Sequence, residues 1–145
     1  MTAFNPSDEQ LRIIWAKLEA SNGAWSQLEG RSFEAFEASC RRSDLLIDMG
    51  FGMARLTELR LGHSCRVHAV FWSKEAVSKI GEIAVALMTT AGSLHLRRID
   101  CVVPNGVHSL RRYLKRLGFG FEGTMRSYYK GVDRFFDGDL YSLLF

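Results

Sequence analysis

The side chain in this sequence best placed to do chemistry is His68. It sits in the alternating run Cys65-Arg-Val-His-Ala-Val-Phe-Trp72, where Arg66, His68, Val70 and Trp72 share one strand face and Cys65, Val67, Ala69 and Phe71 the other. An imidazole there, with an unperturbed pKa of about 6.5, suits a general base. The competing reading is a partly buried sheet histidine without catalytic duty. His63 and His108 fall at a turn and a first helical turn and read as solvated surface. None of the four histidines stands four residues from another, so the spacing predicts no structural zinc. Cys40, Cys65 and Cys101 are odd in number and far apart, and read as buried thiols rather than a metal site or disulfide.

Charge is the second chemical signal. The chain carries a net +3, but Arg97 to Arg134 holds nine Lys or Arg against Asp100, Glu122 and Asp133. A positive field there could attract nucleic acid, an acidic protein or a phosphorylated cofactor. Arg111, Arg112, Lys115 and Arg116 are its densest part. They read as a solvated helix face near a C-terminal dipole, with a contact to a phosphate or an acidic partner as the functional alternative. No stacking platform of aromatics accompanies the cations, which speaks against nucleic acid.

At 145 residues, 47% hydrophobic and 24% charged, the chain is expected to form one globular domain over 1–145. No apolar run approaches the ~20 residues of a spanning helix, and the first residues lack the order of a secretory signal, so no membrane partner and a cytoplasmic location are expected.

Within that domain a helical part, 1–43, precedes a sheet part, 44–145. Ser7-Asp-Glu-Gln10 is a capping box, followed by Leu11, Ile14, Trp15 and Leu18 at helical spacing, and Ser21-Asn22-Gly23 ends the helix. A second helix runs from Ser32 to Arg41. Leu45 to Asp48, Met53 to Leu61 and Cys65 to Trp72 read as three antiparallel strands. A long helix follows from Ser73 to Gly92, then a strand from Arg97 to Val103 stopped by Pro104. Asn105 is expected to cap a helix that buries Val107, Leu110, Leu114 and Leu117 and ends at Gly118. Phe121 to Lys130 and Arg134 to Phe145 close the chain as strands. The strand, helix, strand passage predicts a parallel crossover in a mostly antiparallel sheet, an α+β fold with helices on both faces.

That order, with Val-Val-Pro-Asn105, a helix ending Leu-Lys-Arg-Leu-Gly118-Phe, then Phe-Glu-Gly-Thr-Met-Arg126 and Asp-Leu-Tyr-Ser-Leu-Leu144, resembles the GNAT superfamily of acetyl-CoA-dependent N-acetyltransferases. It looks closest to the branch acting on protein N-termini and to its phage-encoded relatives. The resemblance implies that the Cys65 strand splays from the Arg97 strand and that the pantetheine arm of acetyl-CoA pairs in the gap. The pyrophosphate is implied at the start of the helix after Trp72. It further implies Phe71, Trp72, Ser73, Lys74, Lys79, Gly81 and Asn105 at the cofactor, with Trp72 as a wall or a plug of the cleft, and His68 or Tyr113 handling protons for an amine acceptor.

The sequence also departs from the family pattern. Glycines are sparse in the phosphate loop Ser73 to Ala84, Glu75 and Glu82 bring negative charge to it, and Leu114 stands where many members carry a tyrosine, with Tyr113 one place earlier. A usual first strand is expected to be missing from Met1 to Pro6. Two functions follow: an N-acetyltransferase acting on a small-molecule or peptide amine, or a catalytically degenerate member serving with protein partners in an assembly such as a phage virion.

Overall fold

The computed structural model describes residues 2–21 and 32–145. Helix α1 (Asp8–Ala20) starts at Ser7, whose hydroxyl accepts from Gln10 N–H at 3.2 Å while the Gln10 side chain accepts from Ser7 N–H at 2.8 Å. The capping box is therefore complete. Ser21 closes the helix, and Asn22 and Gly23 lie outside the described residues. Removing the hydroxyl leaves first-turn amides without a partner, so Ser7→Ala is expected to cost about 1 kcal/mol, read as a lower urea midpoint at unchanged slope. Helix α2 (Phe33–Arg41) is capped likewise by Ser32.

The strands are β1 (Thr2–Ala3), β2 (Leu45–Asp48), β3 (Gly52–Arg60), β4 (Ser64–Phe71), β5 (Arg98–Pro104), β6 (Gly120–Lys130) and β7 (Phe135–Leu144). Among the described residues they form one sheet in the order β1-β2-β3-β4-β5-β7-β6. All pairings are antiparallel except β4 with β5. The expected parallel crossover and mixed sheet are present. The missing first strand needs correction: Thr2 and Ala3 pair with Asp48 and Ile47, and the Phe4 N–H reaches the Leu46 carbonyl at 3.1 Å before Pro6.

Two clusters of buried side chains lie on opposite faces of the sheet. One, from Leu11, Ile14, Leu18, Cys40, Leu46 and Met53, sits under α1 and α2. The larger one joins the sheet to the helices that follow β4 and β5, with Ile99, Leu114 and Tyr141 at its centre. The apolar end of the chain is mostly covered because β7 lies between β5 and β6, although Leu144 and Phe145 keep exposed side chains.

The predicted long helix is broken. A short α3 (Glu75–Ser78) gives way at Lys79 to α4 (Ile80–Ser93). The helix after β5 also starts later than expected. Asn105 does not cap it: its side chain donates to Asp139 at 2.9 Å and its N–H to the Asp137 carbonyl at 2.9 Å, while Gly106 turns the chain at φ 86°. Helix α5 (His108–Arg116) begins after Val107, with no side-chain cap. Its end matches expectation. Gly118 takes φ 92°, its N–H reaches the Lys115 carbonyl and the Phe119 N–H reaches the Leu114 carbonyl, the paired bonds of a Schellman cap. Arg111, Arg112, Lys115 and Arg116 are all exposed, as a solvated face requires. No helix among the described residues is long and apolar enough to cross a membrane.

Candidate active site

The parallel ladder between β4 and β5 has only three pairs, Ser64↔Arg98, Cys65↔Ile99 and Arg66↔Asp100. Beyond them β4 stays paired with β3 as far as Phe71, and β5 stays paired with β7 as far as Pro104. The two strands thus part, leaving one edge of Val67–Phe71 without a strand partner. A peptide edge in a cleft needs hydrogen-bond partners from outside the sheet.

A cavity of about 590 Å³ opens at this divergence. Its lining comes from both faces of the sheet: Val67, Phe71, Leu87 and Tyr113 on the α4/α5 side, and Arg55, His68, Phe36 and Tyr129 on the α1/α2 side. It is therefore a passage between the faces. The strand alternation that separates Val67 from His68 makes this possible, because β4 shows one set of side chains to each half.

On the first side Phe71 forms the wall. Its ring lies 6.3 Å from that of Phe51 and edge-on to Tyr113 at 5.7 Å. The Tyr113 hydroxyl donates to the Ala76 carbonyl at 3.1 Å, tying α5 to α3. Burial pushes this phenol up to about 12, with Arg116 opposing weakly. It holds its proton firmly and has already committed it. Leu114 is buried in the core and also lines the cavity. Cys101, another lining residue, is raised by burial to about 12, and Cys65 to about 11, so neither thiol is a nucleophile at neutral pH.

His68 faces the second side, where the Thr57 hydroxyl lies 3.1 Å from its Nε2. Burial first, then Arg55 and Arg66, push its pKa down to about 4. The imidazole is therefore neutral at neutral pH and a weaker base than the sequence suggests. Its folded pKa lies below the unfolded one, so the unfolded chain binds the extra proton. Stability is lost as pH falls from about 6.5 toward about 4, and is unaffected above that window. His68→Gln is expected to flatten the pH dependence of unfolding there, by up to about 3 kcal/mol, measured by urea titrations at pH 7, 5.5 and 4.

Trp72 does not wall or plug the cleft. Its indole packs with the α1/α2 cluster, Nε1 donates to the Gly50 carbonyl at 3.0 Å, and the Lys17 ammonium lies 5.2 Å over the ring. Ser73 accepts from the Glu75 N–H at 3.2 Å and Lys74 is exposed. Lys79 pairs with Glu82 at 2.6 Å. Gly81 lines a separate groove between α4 and β2, with nothing within 4 Å of where a Cβ would stand. Asn105 is exposed in its turn. Of the nine residues singled out from sequence, His68, Phe71 and Tyr113 line the cavity and the other six do not. Arg55, Thr57 and Tyr129 were not anticipated. His63 and His108 are exposed and the three cysteines are free and buried, as expected. No group of metal-ligating side chains occurs among the described residues.

No family model matches the sequence, and no curated protein matches it with significance. Solved structures do match. A spermidine N-acetyltransferase chimera from Vibrio cholerae and hSSAT superposes with a TM-score of 0.75 at 18% identity, covering 99% of this chain and 94% of that one. A ribosomal-protein-alanine N-acetyltransferase from Brucella melitensis gives 0.73 at 15%, covering 100% of both. An acetyltransferase of the GNAT family from Bacillus anthracis gives 0.71 at 11%, covering 98% of this chain and 93% of that one. The fold is that of the GNAT acetyltransferases. The likeness extends over nearly the whole chain and defines the architecture, not the acceptor.

Proposed function

We propose that the chain is an N-acetyltransferase that moves an acetyl group from acetyl-CoA to an amine, the two substrates meeting in the passage between β4 and β5. The observation that carries this reading is the open divergence of those strands, with a free backbone edge on Val67–Phe71 and apolar walls from α4 and α5. An extended amide-bearing arm fits such a slot, because it can pair with the edge while burying its methylenes against Phe71 and Leu87. The phosphate end has less to hold it: Lys79 is engaged by Glu82 and Gly81 faces elsewhere, which leaves Lys74 and the first-turn amides of α4. When bound, acetyl-CoA supplies the activated acetyl thioester.

The chain's own residues then divide the remaining work. Phe71 and Leu87 exclude water from the α4/α5 half. His68, neutral and fixed through Nε2 by Thr57, offers Nδ1 to an amine arriving from the α1/α2 half. With a pKa near 4 it orients the amine and cannot store the proton of an ammonium, so that proton leaves through water. Tyr113 can donate toward the α4/α5 half only by releasing Ala76.

The alternative of a degenerate assembly component, as in a phage particle, rests on the departures in the phosphate loop and on Leu114. The open cleft favours the enzyme, since a chain freed from binding a cofactor has no reason to keep its central strands apart. Isothermal titration with acetyl-CoA tests the reading. Saturable binding is expected, and none at millimolar cofactor rejects it.

A further inference from the structure

On the α1/α2 side of the passage the unusual residue is Arg55. It stands in the middle of β3 directly across from His68, so the two side chains leave the same face of the sheet next to one another. Phe36 and Tyr129 also line this half of the cavity, and among the described residues no Asp or Glu lines any part of it.

Among the described residues the sheet has three half-buried arginines, and two of them are matched by carboxylates. Arg66 pairs with Glu58 at 2.9 Å, and Arg98 pairs with Asp100 and Glu122, each at 2.5 Å. Among the described residues Arg55 has no ion pair and no hydrogen bond, and besides burial it feels only the Cys40 thiol and another cation, Arg42. A guanidinium half withdrawn from water in the middle of a sheet, with no anion beside it, is less favourable than one that is paired. Its planar fork suits the two oxygens of a carboxylate or phosphate.

We infer that the amine acceptor carries a carboxylate or phosphate close to its amine, and that Arg55 binds this anion while His68 faces the amine. Arg55 is thus a specificity-determining residue that disfavours polyamines, since their cations would meet Arg55 with no acid among the described lining residues to balance them. The lining of Phe36 and Tyr129 adds an apolar or aromatic portion to the acceptor. This inference rests on the acetyl-transfer reading for the word acceptor; the anion site itself does not.

The test therefore has a binding arm and a turnover arm. In the first, 3-phenylpropionate, phenyl phosphate and phenethylammonium are titrated into the full chain, followed by the NMR signals of the Arg55 Nε–H and the His68 ring. Saturable shifts are expected for at least one anion at millimolar concentration and none for phenethylammonium, with the better anion telling carboxylate from phosphate. Arg55→Gln is expected to weaken that anion at least about tenfold and Arg55→Lys to restore part of it. Preference for the ammonium, equal affinity for all three, or no anion binding overturns the inference, and the wild-type comparison needs no variant to fold. In the second arm, thiol release from acetyl-CoA is expected with phenylalanine or another amine bearing an anion, ahead of phenethylamine and spermidine. Failure of acetyl-CoA to bind in a separate titration, with anion binding intact, rejects acetyl transfer and leaves the anion site standing. Faster turnover of spermidine than of any anionic amine rejects Arg55 as the selector.

Discussion

Gly52→Ala is expected to be among the most destabilising single-methyl additions in this protein. Gly52 opens β3 opposite Phe71, and a Cβ there would lie 2.5 Å from the Phe71 Cδ1 and 2.6 Å from the Val70 carbonyl oxygen. A ring can swing aside, but a backbone carbonyl held in the β3–β4 ladder cannot move without loosening the pairing beside it. Overpacking of this kind costs roughly 2–3 kcal/mol, or a fall of about 5–10 °C in the thermal midpoint for a chain of this size. The damage should also reach the cavity, because Phe71 is its wall and leans on both Phe51 and Tyr113. Calorimetry of the variant decides the matter. An unchanged midpoint would mean that the close approach of the two strands does not exist.

Ala69→Trp is expected to have the largest effect on ligand binding with the smallest effect on folding. Ala69 is exposed, shares a strand face with Val67 and Phe71, and lines the divergence between β4 and β5. An indole at that position fills the slot from the wall instead of straining a packed core, so stability should stay within about 1 kcal/mol of the parent. Affinity for acetyl-CoA should fall by roughly 100-fold or more, equivalent to about 2.7 kcal/mol of lost binding. Ala69→Ser, which adds almost no volume, is the control. Undiminished affinity in the tryptophan variant would place the cofactor somewhere other than the slot.

Local signals carried the parts of the fold that could be read in advance. The Ser7–Gln10 box and the Gly118 cap are short-range devices whose partners lie within a few residues, and both helix ends stand where those residues put them. The break at Lys79 has no proline to announce it, and Gly81 falls inside the first turn of α4 instead of at the break itself. Asn105 misled because the side chain that suits a helix cap equally suits a turn, and Asp139, which claims it, is far along the chain. The two residues of β1 are too few to show a period.

The site divides in the same way. Strand alternation alone put Trp72 with His68 and away from Phe71, and that is where it lies; the wall or plug came from the family resemblance. Arg55 was invisible because one cation in an alternating strand looks like an ordinary solvent-facing residue. Only the register with His68 and the absence of a facing carboxylate among the described residues set it apart, and both are products of long-range pairing. The shift in His68 has mostly the same origin, since burial and Arg55, brought alongside from β3, cannot be read from its neighbours in sequence; Arg66, two residues away, is the part that can.

The short β4–β5 ladder bears on the mechanics of the whole molecule. Strands β1 to β4 and strands β5 to β7 are two blocks, each stitched internally, joined by a parallel ladder of only three pairs and by the backbone bonds of the turn at His63. A guest lying along Val67–Phe71 would add the stitches that the chain omits, so the two blocks should stiffen against one another when it is present and breathe when it is not. Amide exchange along that edge would slow on occupancy, and the resistance of the sheet to being pulled apart would belong partly to the molecule it holds.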